Sequence, residues 1–190
     1  MAGGFESGDV WRGGRPRTGE LDHLSEAART TTRHFEERHA AVLRYLRSIS
    51  GNQADAEELT QEAFLRLYVE IRDRHEPPNV QAWVFRVAHN LAIDHFRRQS
   101  DAGLAISLGE MAAEIVDGAE SPEQEIVERE RRQRVRQALA WLSPQQRQCL
   151  ELRAAGLRYR EISEVLGIQI SSVRTFIVRA VARIAGRTDV

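Results

Sequence analysis

The chain has 190 residues, 42% of them apolar, enough for one ordinary domain or two small ones with real cores. It contains no run of about 18 apolar residues and no basic-then-apolar N-terminal pattern, so a membrane span is excluded and a cytoplasmic location is expected. A single cysteine, Cys149, excludes an intramolecular disulfide and a cysteine-based zinc cluster; between Gln148 and Leu150 it reads as a small helix residue.

The formal net charge of −1 conceals a strong division along the chain, in which all 27 positive residues are arginine. Residues 101–130 carry nine acids against one arginine, whereas residues 141–190 carry eight arginines against four acids. Attraction to phosphate is screened within about 10 Å, so this local excess governs partner choice and marks the C-terminal part as a nucleic-acid binder.

Residues 1–24 are rich in Gly and Arg and lack periodicity, which predicts a disordered tail. Within it Arg12-Gly-Gly-Arg-Pro-Arg17 is a weak match to a minor-groove hook, and a solvated tail is the stronger reading. Residues 25–99 form a first ordered block. Phe35, Val42, Leu43, Leu46 and Ile49 recur at helical spacing until Gly51-Asn52 ends the helix. Asp55 opens a second helix, whose Leu59, Ala63, Leu67 and Ile71 make a buried stripe up to Pro77-Pro78. Asn79 is the N-cap of a third helix reaching Gln99, with Val84, Val87, Ala88 and Leu91 inward. Residues 100–121, glycine-bearing and acidic, read as a flexible linker with one short helix near Met111.

A second block spans residues 122–187. Ser121-Pro122-Glu123 announces a helix carrying Ile126, Val127, Val135, Leu139 and Leu142. Ser143-Pro144 starts the next, which stops at Gly156. Tyr159 to Leu166 is a short helix, Gly167 supplies a turn, and Ser171 caps a longer helix to about Ala185. Val173, Ile177, Val181 and Ile184 are expected to pack inward. Arg174, Thr175, Val178 and Arg179 then face outward near the N-terminus, as on the recognition helix of a helix-turn-helix. There an arginine can pair bidentately with guanine and Val178 can meet a thymine methyl.

No catalytic constellation competes with this. His34 and His39 are five apart and His89 and His95 six, neither matching a helical zinc pair. No metal, cofactor or enzymatic role is expected.

Three stretches in order carry a family resemblance: Asp55-Ala-Glu-Glu-Leu-Thr-Gln-Glu-Ala-Phe-Leu-Arg-Leu67, Ala82-Trp-Val-Phe-Arg-Val-Ala-His-Asn-Leu-Ala-Ile-Asp-His-Phe-Arg-Arg98, and Leu142-Ser-Pro-Gln-Gln-Arg147 followed by the helix-turn-helix. The chain resembles the extracytoplasmic-function (ECF) sigma factors of bacterial RNA polymerase over residues 35–184. The resemblance implies an all-α fold in which sigma domain 2 (residues 25–99) and sigma domain 4 (residues 122–187) are joined by the acidic linker. It implies that Asp55, Glu58, Leu59, Gln61 and Glu62 form the helix docking on the clamp helices of the polymerase largest subunit, with a further contact at the flap. Trp83, Arg86, Asn90, Arg97 and Arg98 then correspond to the surface that opens the −10 element and holds its unpaired strand, with the position of Asn90 at the pocket for a flipped base. Arg174, Thr175, Val178 and Arg179 correspond to the readers of duplex −35 DNA, with Arg160, Ser171 and Ser172 beside them at the cap and the DNA backbone. An anti-sigma factor is the regulator the family implies, masking surfaces between the two domains, and the linker matches a segment threaded through the polymerase cleft.

Phe176, Val178 and Val181 depart from the polar or basic residues usual in the family's last helix. Val84 stands where primary sigma factors carry the second of two tryptophans. Two other readings stay open: a stand-alone helix-turn-helix regulator acting on duplex DNA without polymerase, and a sigma mimic that sequesters an anti-sigma factor.

Overall fold

A computed structural model describes residues 18–50, 52–101, 137 and 139–188, and six helices with complete bounds lie among them. They are α1 (Thr18–Ser50), α2 (Gln53–Arg72), α3 (Val80–Asp101), α4 (Pro144–Ala154), α5 (Tyr159–Leu166) and α6 (Ile170–Thr188), and there is no strand among the described residues. The expected linker after Asp101, the Arg12–Arg17 match and the helix opening at Ser121 lie outside the described residues.

The first three helices form an antiparallel bundle because each offers one apolar stripe to a common centre. Val42, Leu46 and Ile49 from α1, Leu59, Ala63, Leu67 and Ile71 from α2, and Val84, Ala88 and Leu91 from α3 are all buried there, as their spacing requires; Phe35, Leu43 and Val87 are half-buried at its margin. Tyr45 and Phe85 add an edge-on aromatic pair with ring centroids 5.6 Å apart.

Several boundaries differ from the expected ones, each through a contact distant in sequence or a local cap. Helix α1 begins at Thr18, so residues 18–24 are helical rather than part of a disordered tail. His23 Nε2 lies 2.7 Å from the Arg72 carbonyl at the far end of α2, and Ala27 is buried, which ties this turn to the bundle. Helix α2 opens at Gln53 because the Asn52 side chain accepts a hydrogen bond from the Ala54 amide at 2.9 Å. It ends at Arg72, before Pro77. There His75 N–H bonds the Glu70 carbonyl at 2.9 Å, and Arg74 takes the left-handed conformation at φ 64°. Asn79 does cap α3, its Oδ1 accepting from the Ala82 amide at 3.0 Å.

The last three helices form the second unit. Ser143 and Gln146 close a capping box at the start of α4, with Gln146 N–H to Ser143 Oγ at 3.3 Å and Ser143 N–H to Gln146 Oε1 at 3.1 Å. Helix α5 is followed by Gly167 at φ 64°, the left-handed turn that redirects the chain into α6. The first turn of α6 is closed by backbone bonds from Ser172 and Val173 to the Gln169 carbonyl, so Ser171 lies inside the helix and is not its cap. Val173, Ile177 and Ala180 are buried and Ile184 half-buried, whereas Val181 is 51% exposed. The inward stripe therefore steps by four, three and four residues, following the 3.6-residue turn.

The two units touch. α3 packs against α5 and α1 against α4. Asn79 donates to Glu161 Oε1 at 2.8 Å, Gln81 donates to the Ala155 carbonyl, and Arg44 pairs with Glu151 at 3.5 Å.

Candidate nucleic-acid interface

The α2 face opposite the buried stripe carries Glu58 and Gln61 in solvent, with Glu62 half-buried beside them and bonded to Arg66 at 2.8 Å. Leu59, taken from the sequence as part of this surface, is only 7% exposed and anchors the helix in the bundle. Asp55 is also withdrawn: it is half-buried and faces His95 of α3, Oδ2 to Nε2 3.4 Å. Forty residues separate that pair, so nothing local in the sequence announces it. Of the docking residues expected from the sequence, Glu58 and Gln61 face solvent and Glu62 is half-exposed, bordered by exposed Leu65 and Val69 one and two turns further along.

On α3, Arg86, Asn90, Arg97 and Arg98 are all exposed. Positions 86, 90 and 97 fall on one helical face, as their spacing predicts. Arg97 is braced by Asp94 at 3.0 Å, which fixes its guanidinium without removing it from solvent. Trp83 is half-buried and packs against the core, so its indole combines an anchored edge with an accessible one. Such a row of guanidinium, amide and aromatic groups is suited to unpaired bases and their phosphates.

The helix-turn-helix presents the second basic surface. Arg174, Thr175, Val178 and Arg179 are exposed along the first three turns of α6. Arg174 and Arg179 have no carboxylate partner among the described residues. Arg160 on α5 is held by Glu164 at 3.2 Å, and Ser171 is exposed with Ser172 half-buried at the start of α6. The Thr175 hydroxyl donates to the Ser171 carbonyl at 2.9 Å, so toward a ligand Thr175 has an acceptor oxygen and a methyl to offer but no donor. Val181, expected in the core, joins this outer face. A strict four-residue step from Ile177 pointed to it, and the presence of Ala180 one position earlier is the signal that marks the alternative register.

Where α1 meets α4 the two units share a buried seam. Burial pushes the Cys149 thiol up to about 11, keeping it a protonated, unreactive packing group. Burial also raises the Glu151 carboxyl, against the opposing pull of Arg44 and Arg147. The Tyr45 phenol is raised well above its ordinary value by burial first and then by Cys149 and Glu151. No cluster of three or more His, Cys, Asp or Glu side chains fit for a metal occurs among the described residues, and no single helix there is long and apolar enough to cross a membrane.

Comparison with known proteins agrees with this architecture. Residues 34–102 match the family described as Sigma-70 region 2, and residues 132–184 match Sigma-70, region 4. The ECF RNA polymerase sigma factor SigW of Bacillus subtilis is 33% identical over 136 residues, covering 68% of this chain and 73% of SigW. BldN of Streptomyces coelicolor, also an ECF RNA polymerase sigma factor, is 31% identical over 173 residues, 90% of this chain and 62% of BldN. SigE of Mycolicibacterium smegmatis is 32% identical over 139 residues, 73% of this chain but 53% of SigE. The chain thus spans between about half and two thirds of the length of those last two relatives. Among solved structures, CnrH in complex with the cytosolic domain of CnrY shares the fold at TM-score 0.55 and 22% identity, covering 90% of this chain and 94% of that one. The sigma factor RpoE of Bartonella quintana, solved with the anti-sigma factor NepR, does so at TM-score 0.55 and 21% identity, covering 82% and 96%. With both regions matched in order and a third of its aligned residues shared with SigW over most of that protein, the chain belongs to the ECF sigma factors of RNA polymerase.

Proposed function

We propose that this protein binds core RNA polymerase and directs promoter-specific initiation, with α2 as the docking helix, α3 as the reader of the opened −10 element and α6 as the reader of the duplex −35 element. The observation that carries the reading is the pairing of two exposed arginine-bearing helix faces in one chain, Arg86–Asn90–Arg97–Arg98 on α3 and Arg174–Thr175–Val178–Arg179 on α6. One face suits single strands and the other a major groove. The protein needs no chemistry of its own, since polymerase makes the bonds. The acids of α2 supply a face complementary to a basic coiled coil, here the clamp helices of the largest subunit, with the flap engaging domain 4. The complexes recorded for CnrH and RpoE support an anti-sigma partner for this chain as well.

Reversal of charge on the docking helix separates the roles. Glu58→Arg with Glu62→Arg is expected to abolish co-elution with core polymerase, whereas Arg174→Ala keeps core binding and loses affinity for promoter duplex. Unchanged core binding by the double variant would remove α2 from the interface.

A further inference from the structure

Helix α6 leaves three large aliphatic side chains in water: Ile170 at 49% exposure, Val178 at 57% and Val181 at 51%. Its core side is already filled by Val173, Ile177 and Ala180, so these residues are surplus to folding. Positions 174, 178 and 181 follow the i, i+4, i+7 pattern and form one stripe within about 60° of helix arc. Val178 lies about 6 Å and Val181 about 10 Å along the axis from Arg174, at 1.5 Å per residue. Base pairs stack every 3.4 Å or so, and the stripe therefore covers two or three steps beyond the pair that Arg174 meets.

The chemistry of this stripe is unusual for a surface facing phosphates. Its cation at 174 is followed by aliphatic groups, with Arg179 about 100° round the helix from Val178 and no polar side chain between Val178 and Val181 on that line. The neighbouring Thr175 has its hydroxyl proton committed to the Ser171 carbonyl. The major groove has one apolar feature, the C5-methyl of thymine. The exposed Arg174 guanidinium on this stripe has no carboxylate partner among the described residues, which favours DNA over an apolar protein face, because burying it on a protein without acids would be costly.

We propose that Val178 and Val181 are specificity-determining residues of the −35 reader, selecting thymine methyl groups on base pairs adjoining one held by Arg174. This rests on the assignment of α6 to duplex promoter DNA. The element so read combines a guanine with neighbouring A·T pairs whose orientation is fixed by which strand carries each methyl.

The test uses holoenzyme assembled from the full chain and core polymerase, on a promoter duplex from which it initiates. Each thymine of the −35 element is replaced singly by deoxyuridine, which deletes the methyl and leaves every hydrogen-bonding group. At one or more positions the unmodified protein is expected to lose affinity by about fourfold, the size of one buried methylene. Val178→Ala or Val181→Ala is expected to weaken binding to the thymine promoter and to make the matching deoxyuridine substitution silent. Both positions are solvent-facing, and an unchanged melting temperature checks that each variant folds. Equal affinity for thymine and deoxyuridine promoters at every position, or equal loss by the variants on both, overturns the inference while leaving the sigma assignment intact. Absence of initiation from any duplex overturns that assignment, and this inference with it.

Discussion

His89 shows how much a single buried group contributes to the behaviour of this protein. Its Nδ1 lies 2.9 Å from the Tyr45 hydroxyl, and burial holds its pKa below the ordinary 6.5. The unfolded chain binds a proton at this histidine near pH 6.5 and the folded chain resists it. Stability from His89 is therefore complete above that pH and falls as pH drops below it. Glu151 acts in the opposite sense: its raised carboxyl makes ionisation unfavourable in the folded chain, beginning near its ordinary 4.5. Comparing one variant with the parent isolates the histidine. Urea midpoints are expected to fall between pH 7.5 and pH 5.5 in the parent and to fall less in His89→Gln. Parallel curves would assign the acid sensitivity elsewhere.

The turn between α5 and α6 shows the same economy at the level of secondary structure. Gly167 stands at φ 64°, and a Cβ there would meet nothing within 4 Å. Gly167→Ala therefore has a purely backbone cost of about 1–2 kcal/mol. Gly186, helical and equally open in space, gives the opposite sign: Gly186→Ala stabilises by about 0.5 kcal/mol through reduced chain entropy. Thermal unfolding of the two variants checks both directions, and a shared sign would contradict the argument. This turn was also the most legible part of the sequence. Tyr159, Leu166 and Gly167 marked their boundaries correctly because the punctuation is local. The start of α1 was not legible, since it depends on His23 reaching the Arg72 carbonyl forty-nine residues away. The end of α2 was misplaced because Pro77 is a strong breaker in sequence, while the fold stops the helix earlier with Arg74 in a conformation usual for glycine. Of the candidate site residues, the exposure of those on α3 and α6 followed from periodicity. Leu59 belongs both to the periodic stripe and to the docking set implied by the resemblance, and packing assigns it to the stripe; the half-burial of Asp55 was not legible, because it faces His95 forty residues away.

The arrangement of the two units bears on how the whole protein works. Glu161 both accepts from the Arg158 amide at the start of α5 and receives the Asn79 side chain from the start of α3, so one carboxylate joins the two helix ends. Asn79 in turn caps α3 with its oxygen. In this state α3 and α5 are in contact, whereas the −10 and −35 elements are roughly 25 base pairs apart, about 85 Å of duplex at 3.4 Å per step. On the proposed reading, simultaneous engagement of both helix faces requires the units to separate. Dyes on Ile93→Cys and Ala182→Cys, both exposed positions, would report this, because the buried Cys149 thiol with its raised pKa stays unlabelled. Energy transfer is expected to be high in the free chain and low in the promoter-bound holoenzyme; equal transfer in both would show that the units remain together.

Promoter-directed initiation is tested by mixing the purified protein with bacterial core RNA polymerase and genomic DNA fragments and mapping transcript 5′ ends. Discrete starts absent with core alone are expected, each preceded by two shared sequence elements about 35 and 10 base pairs upstream. Core polymerase that binds the protein yet gives no starts beyond its own background would contradict promoter-directed initiation.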